Sequence, residues 1–73
     1  MWYYNSPIGT IKIIAKDGRF SLVIKDRTYG SYHSAVAAAD DVYHHATGCF
    51  EWDSIDGKCK DVPNSLTEWT KSQ

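Results

Sequence analysis

Between Thr10 and Lys25 the chain reads TIKIIAKDGRFSLVIK, two β-rich runs joined by Asp17-Gly18. An Asp-Gly pair between such runs specifies a hairpin, because both central residues of a tight primed turn need positive φ. The period of two then assigns faces. Phe20, Leu22 and Ile24 share one side with Ile11 and Ile13, while Lys12, Ile14, Ser21, Val23 and Lys25 take the other.

The flanking segments extend this ribbon. Trp2 to Tyr4 reads as a short opening strand, closed by a turn at Asn5-Ser6-Pro7 where the proline forbids a central strand from continuing. Asp26-Arg27 makes another tight connection into a fourth strand, Thr28 to Tyr32, and Gly30 within it predicts a bulge or a close backbone approach. Ser34 is placed to cap a helix over 35–47, and Gly48 sits where a left-handed residue ends one. Val36, Ala39, Val42, Tyr43 and Ala46 recur at three- and four-residue spacing and form its expected core face. Ala37, Asp40, Asp41, His44 and His45 point elsewhere.

Cys49 to Asp53 reads as an extended segment with Phe50 and Trp52 on one face and Glu51 on the other, followed by a loop over 54–64. Ser65 and Glu68 have capping-box spacing over a last helical turn, with Leu66 and Trp69 closing one end of the core. Residues 70–73 are expected to fray. The sum is a single α+β domain over residues 1–73. A three- or four-stranded antiparallel sheet packs on one α-helix, with a short C-terminal helical turn.

Three Trp, five Tyr and two Phe supply bulky core material and exclude a disordered chain. Alternation keeps Trp2 and Tyr4 off the face of Tyr3, so at least one of these rings is exposed and available to a partner. No apolar run approaches about 20 residues, which excludes a transmembrane helix. MWYYNSPIG has neither the charged nor the apolar region of a signal peptide, so a cytoplasmic location is expected. Cys49 and Cys59 should remain thiols there.

The net charge of −1 argues against a strongly basic nucleic-acid binder, but the charge is unevenly placed. Residues 1–32 carry Lys12, Lys16, Arg19, Lys25 and Arg27 against Asp17 and Asp26. Residues 33–73 carry seven carboxylates against Lys58, Lys60 and Lys71, so the two halves have opposite sign.

Two constellations could bind something. His44, His45, Cys49 and Cys59 are zinc-ligand types, with Asp40 and Asp41 one helical turn away. Their spacing matches no closed zinc signature, and adjacent histidines diverge by about 100° on a helix. Two histidines near a helix C-terminus are accounted for by its exposed carbonyls. No metal or cofactor is therefore expected. With no nucleophile or oxyanion hole legible beside the histidines, catalysis is not expected either.

The second constellation is basic: Lys12, Arg19, Lys25 and Arg27 surround outer-face Ile14 and Val23 on the hairpin. The expected function is non-catalytic binding of a protein partner or of a second copy, oriented by electrostatics, and opposite-sign faces permit head-to-tail self-association. The alternative is nucleic acid, bound through Lys12, Arg19, Lys25 and Arg27 on this face, since a small antiparallel ribbon can enter a major groove.

Gly30-Ser31-Tyr32, capping Ser34 and Ala38-Ala39 on a helix after three strands resemble the plant ethylene-response type of DNA-binding domain over roughly residues 8–48. That resemblance implies a three-stranded sheet packed on one helix. The Arg- and Trp-rich strands with which that family reads DNA have no counterpart here, so DNA binding does not come over with it. A second likeness rests on Trp2, Ser6-Pro7-x-Gly9, Gly30-Ser31-Tyr32, Ala38 to Val42, Thr47-Gly48, Glu51-Trp52-Asp53 and Leu66-x-Glu68-Trp69. On these the chain resembles a family of short uncharacterised bacterial proteins over nearly its full length. That resemblance implies no activity.

Overall fold

The computed structural model describes residues 1–58 and 62–72; Cys59 and Gln73 lie outside them. Five strands, β1 (Trp2–Ser6), β2 (Gly9–Lys16), β3 (Arg19–Ile24), β4 (Arg27–Tyr32) and β5 (Thr70–Lys71), form one antiparallel sheet. Its order is β4-β3-β2-β1-β5. Helix α1 (Ala35–Tyr43), the short helix α2 (Phe50–Asp53) and a 3-10 turn at Leu66–Glu68 make a second layer on one side. The fold is α+β, as the sequence pattern predicts, with one strand more.

The strands follow local chemistry. Asp17 and Gly18 both take positive φ, at 54° and 77°, and the pairing Lys16↔Arg19 leaves them as a two-residue loop. Lys25 and Asp26 do the same at 52° and 65°, so the second tight turn falls one residue earlier than expected and Arg27 already belongs to β4. Both expectations for Gly30 are met. A register shift opposite Leu22 and Val23 leaves Tyr29 as the extra residue, and the Tyr32 ring occupies the space a Cβ on Gly30 would need, 3.0 Å away. The extra strand, β5, pairs Lys71 with Trp2 and Thr70 with Tyr3, so this part of the tail does not fray.

Ser34 caps α1 as expected, its Oγ accepting from the Ala37 amide at 3.1 Å. The helix ends four residues before Thr47. His45 takes φ 54°, its amide donates to the Val42 carbonyl, and Ala46 donates to that of Asp41. This is a Schellman termination with histidine in the left-handed position. The core face also differs from expectation: Ala35, Ala38, Ala39 and Val42 are buried, whereas Val36 and Tyr43 are 63% and 44% exposed. The alanine-lined side lets the helix lie close to the sheet, which turns the larger side chains toward solvent.

Cys49 to Asp53 is not extended. The Asp53 carboxylate accepts from the amides of Thr47 and Gly48 and from the Thr47 hydroxyl, at 2.8–3.0 Å, and folds the segment into α2. Helical turning separates Phe50, 83% exposed, from Trp52, fully buried. The last turn is also capped one residue out of place: Glu68 Oε1 accepts from the Asn64 amide, and Ser65 Oγ meets the Thr67 hydroxyl instead of an amide.

Ile11, Ile13, Leu22, Ile24, Val42 and Trp52 have no exposed surface and form the centre of the core, with Trp69 nearly so. Trp52→Ala should cost roughly 3–5 kcal/mol, a large share of a small domain's stability. Phe50→Ala should stay within about 0.5 kcal/mol. Denaturant midpoints of the two variants check this, and equal losses would contradict the placement of these rings.

Candidate functional site

Strand register builds the second face of the sheet. Since Ile11, Ile13, Leu22 and Ile24 point under the helices, their neighbours point away. Tyr3 pairs with Lys12, Lys12 with Val23, and Val23 with Thr28, one row running across four strands. Ile14, Ser21 and Ser31 form the next row, and Lys16 with Arg19 the row beyond it. α1, α2 and the 3-10 turn all contribute to the core on the opposite side, so among the described residues no element covers this face. Tyr3, Ile14 and Val23 are half-buried there by their neighbours alone.

Arg19 is braced on this face. Its Nε donates to Ser31 Oγ at 2.6 Å, one Nη donates to the Ser31 carbonyl at 3.0 Å, and the other lies 3.3 Å from His33 Nδ1. These contacts tie β3 to the edge strand β4 and hold the guanidinium along the sheet. Lys25 behaves differently. Its backbone has left the strand for the turn, and its Nζ donates to Glu51 Oε2 on α2 at 2.6 Å. That hydrogen bond pushes the Lys25 ammonium up from its ordinary value.

The four expected basic residues therefore divide. Lys12 and Arg19 share the uncovered face with Lys16, whereas Lys25 is turned to the helix layer and Arg27 sits at the far end of the sheet. Five residue steps along β3 separate the two ends by about 17 Å. Ile14 and Val23 lie among the cations as alternation predicts, and Tyr3 is the ring of the first strand that faces outward. The exposed Val36 and Tyr43 are surface groups that helical periodicity assigns to the core face, and Phe50, expected on one face with Trp52, is exposed too.

His44, His45 and Cys49 do not converge on one site; Cys59 lies outside the described residues. His44 is exposed, with Nδ1 2.8 Å from the Asp40 carbonyl oxygen and 3.5 Å from its carboxylate. His45, expected on the exposed side, is buried instead. Its ring stacks on Trp52 at 4.4 Å, and Nδ1 lies 2.8 Å from the Trp52 carbonyl oxygen. Cys49 is a buried free thiol, and its closeness to the Tyr29 hydroxyl, followed by burial, raises the pKa of that phenol. Among the described residues no three His, Cys, Asp or Glu side chains are grouped to hold a metal ion.

Small hollows open on the surface of the described residues, two of which have a defined lining. One of about 230 Å³ lies between α1 and the 3-10 turn, beside Val36, Asp40 and Leu66. The other, about 380 Å³, lies at the β4 edge beside Arg27, Tyr29 and Phe50. Cys49 and Glu51 also line the second. No helix of the described residues is long and apolar enough to cross a membrane.

No family model, curated protein or solved structure matches the chain. A functional reading therefore rests on the geometry of the domain itself.

One titration reports on the joint between sheet and helix. Tyr32 donates to Asp41 Oδ2 at 2.8 Å, and burial, then the Asp41 carboxylate, pushes the phenol up to about 12. An unfolded tyrosine ionises near 10. Between those values the unfolded chain gives up its proton first, so this contribution is fully present below pH ~10 and is lost as pH rises toward ~12. Urea midpoints should fall over that range, and fall less steeply in Tyr32→Phe. Identical slopes in the two proteins would exclude this role for the Tyr32–Asp41 bond.

Proposed function

We propose that this protein is a small, non-catalytic binding module that docks a protein surface on the uncovered face of its sheet. The supporting observation is the composition of that face: half-buried Tyr3, Ile14 and Val23 at the centre, with Lys12, Lys16 and Arg19 among and beside them. An apolar centre flanked by charge of one sign is how a specific interface divides its work. The apolar groups supply affinity on desolvation and the charges set orientation. We place this activity in the cytoplasm, on the low cysteine content of the chain.

A second reading, nucleic-acid binding, is favoured by the three cations sharing one sheet face. Three phosphate contacts give weak binding with a log–log salt slope of about −3. The apolar residues between the cations have no role in that reading, which is why the protein partner is preferred.

Immobilised wild-type chain and an Ile14→Glu variant, checked by its melt to be folded, would be compared for what each retains. A partner held by wild type should be lost about tenfold by Ile14→Glu, and should shift the amides of Tyr3, Lys12, Ile14, Ser21 and Val23 when added to labelled protein. Undiminished retention by the variant, or shifts confined to other residues, would overturn the reading. In a low-salt titration with mixed DNA and RNA, shifts at Lys12, Lys16 and Arg19 would transfer the face to the second reading.

A further inference from the structure

We infer that the uncovered sheet face receives the helix face of a second copy of this chain, so that copies stack head to tail. The inference rests on the docking role proposed for the sheet face and names its occupant.

The two faces carry matching patterns. Across the sheet, Tyr3, Lys12 and Val23 form a row of apolar, cationic and apolar groups on adjacent strands. Strands about 4.8 Å apart give that row a length of about 10 Å. On α1, Val36, Asp40 and Tyr43 form a line of apolar, anionic and apolar groups, all exposed to solvent. Seven residues at 1.5 Å per residue give a length of about 10 Å again. Asp40 can thus meet Lys12 while Val36 and Tyr43 lie against the Tyr3 and Val23 side chains. The His44 imidazole lies 3.5 Å from the Asp40 carboxylate at the rim of this line.

Charge selects the same pairing. Described residues of the helix layer, from Ser34 to Trp69, carry six carboxylates against Lys58 alone. The uncovered sheet face carries Lys12, Lys16 and Arg19, with Asp17 at the turn beyond them. Sheet against sheet would set these cations against their own copies, and like charges facing one another are costly. Sheet against helix places opposite signs together.

Since the two faces lie on opposite sides of a two-layer fold, the contact is heterologous and leaves both outer faces free for the next copy. Growth therefore does not stop at two chains. The molecule measures 33 × 22 × 18 Å, so a face offers about 700 Å², slightly under the ~800 Å² per partner of a standard stable interface. The stack is accordingly weak, concentration-dependent and sensitive to salt.

Sedimentation velocity over a concentration series at low salt tests this. Wild-type average mass should rise past two chains without a plateau. Lys12→Glu and Asp40→Lys, each confirmed folded by its melt, should each remain monomeric, because one contact in each variant sets like charges together. An equimolar mixture of the two, and the double variant carrying both changes, should associate again. A wild type that stays monomeric, a plateau at two chains, or a silent mixture would overturn the inference. Loss of association in Lys12→Glu with none in Asp40→Lys would also overturn it, yet leave the sheet face as a docking surface. The docking reading itself fails only in the separate Ile14→Glu comparison.

Discussion

The Trp52 indole is the joint on which the two layers depend. Its Nε1 donates to the Val42 carbonyl at 2.9 Å, the His45 ring stacks on it, and Tyr4 of β1 meets it edge-on at 6.1 Å. One side chain thus connects the end of α1, the short helix α2 and strand β1 of the sheet. The turn between the helices exists to deliver it. His45 reverses the chain in a left-handed conformation, and Asp53 gathers the Thr47 and Gly48 amides, fixing α2 at the angle that buries position 52. In a domain this small one aromatic residue can decide the packing of a whole layer.

A single helix of nine residues cannot cover five strands. At about 4.8 Å per strand spacing the sheet is ~19 Å wide, against a helix diameter of 10–12 Å with side chains. The remainder of the inner face is closed by aromatic residues: Trp2 against Phe20, and Tyr4 against Trp69. All the helical material of the described residues is used on that side. The outer face is left to strand residues alone, which is why its apolar groups are only half-buried.

The sequence made the local features legible and left the non-local ones obscure. Asp17-Gly18, the faces of β2 and β3, the Ser34 cap and the helix over most of its length depend on neighbours within a few residues, and pattern alone finds them. The end of α1 does not. A histidine in the left-handed region costs more than a glycine would, and Gly48 was the residue to expect there. His45 prevails because its ring gains the stack on Trp52. Phe50 and Trp52 are two apart, so alternation put them together, and only the Asp53 clamp, closed across six residues, shows the segment to be helical. β5 is two residues long and pairs with the opposite end of the chain, beyond any window of periodicity. The candidate site was legible in Lys12, Arg19, Ile14 and Val23. Lys25 was misplaced because a turn beginning at a lysine takes that residue out of the alternation.

The uneven charge along the chain becomes polarity in space because the fold keeps the two halves apart. The first 32 residues supply four of the five strands, and the acidic remainder supplies every helical element. Among the described residues a single ion pair, Lys25–Glu51, crosses between the layers. It forms at the sheet end, where the turn brings a strand residue alongside α2. Lys12, Lys16 and Arg19 stand on the side of the sheet facing away from the helices, so the carboxylates of the same domain are screened from them by the core. Folding cannot neutralise these cations, and they make no ion pair with a carboxylate among the described residues. The cations cost little while water solvates them, whereas the apolar groups among them, Ile14 and Val23, stay only half-covered by their strand neighbours.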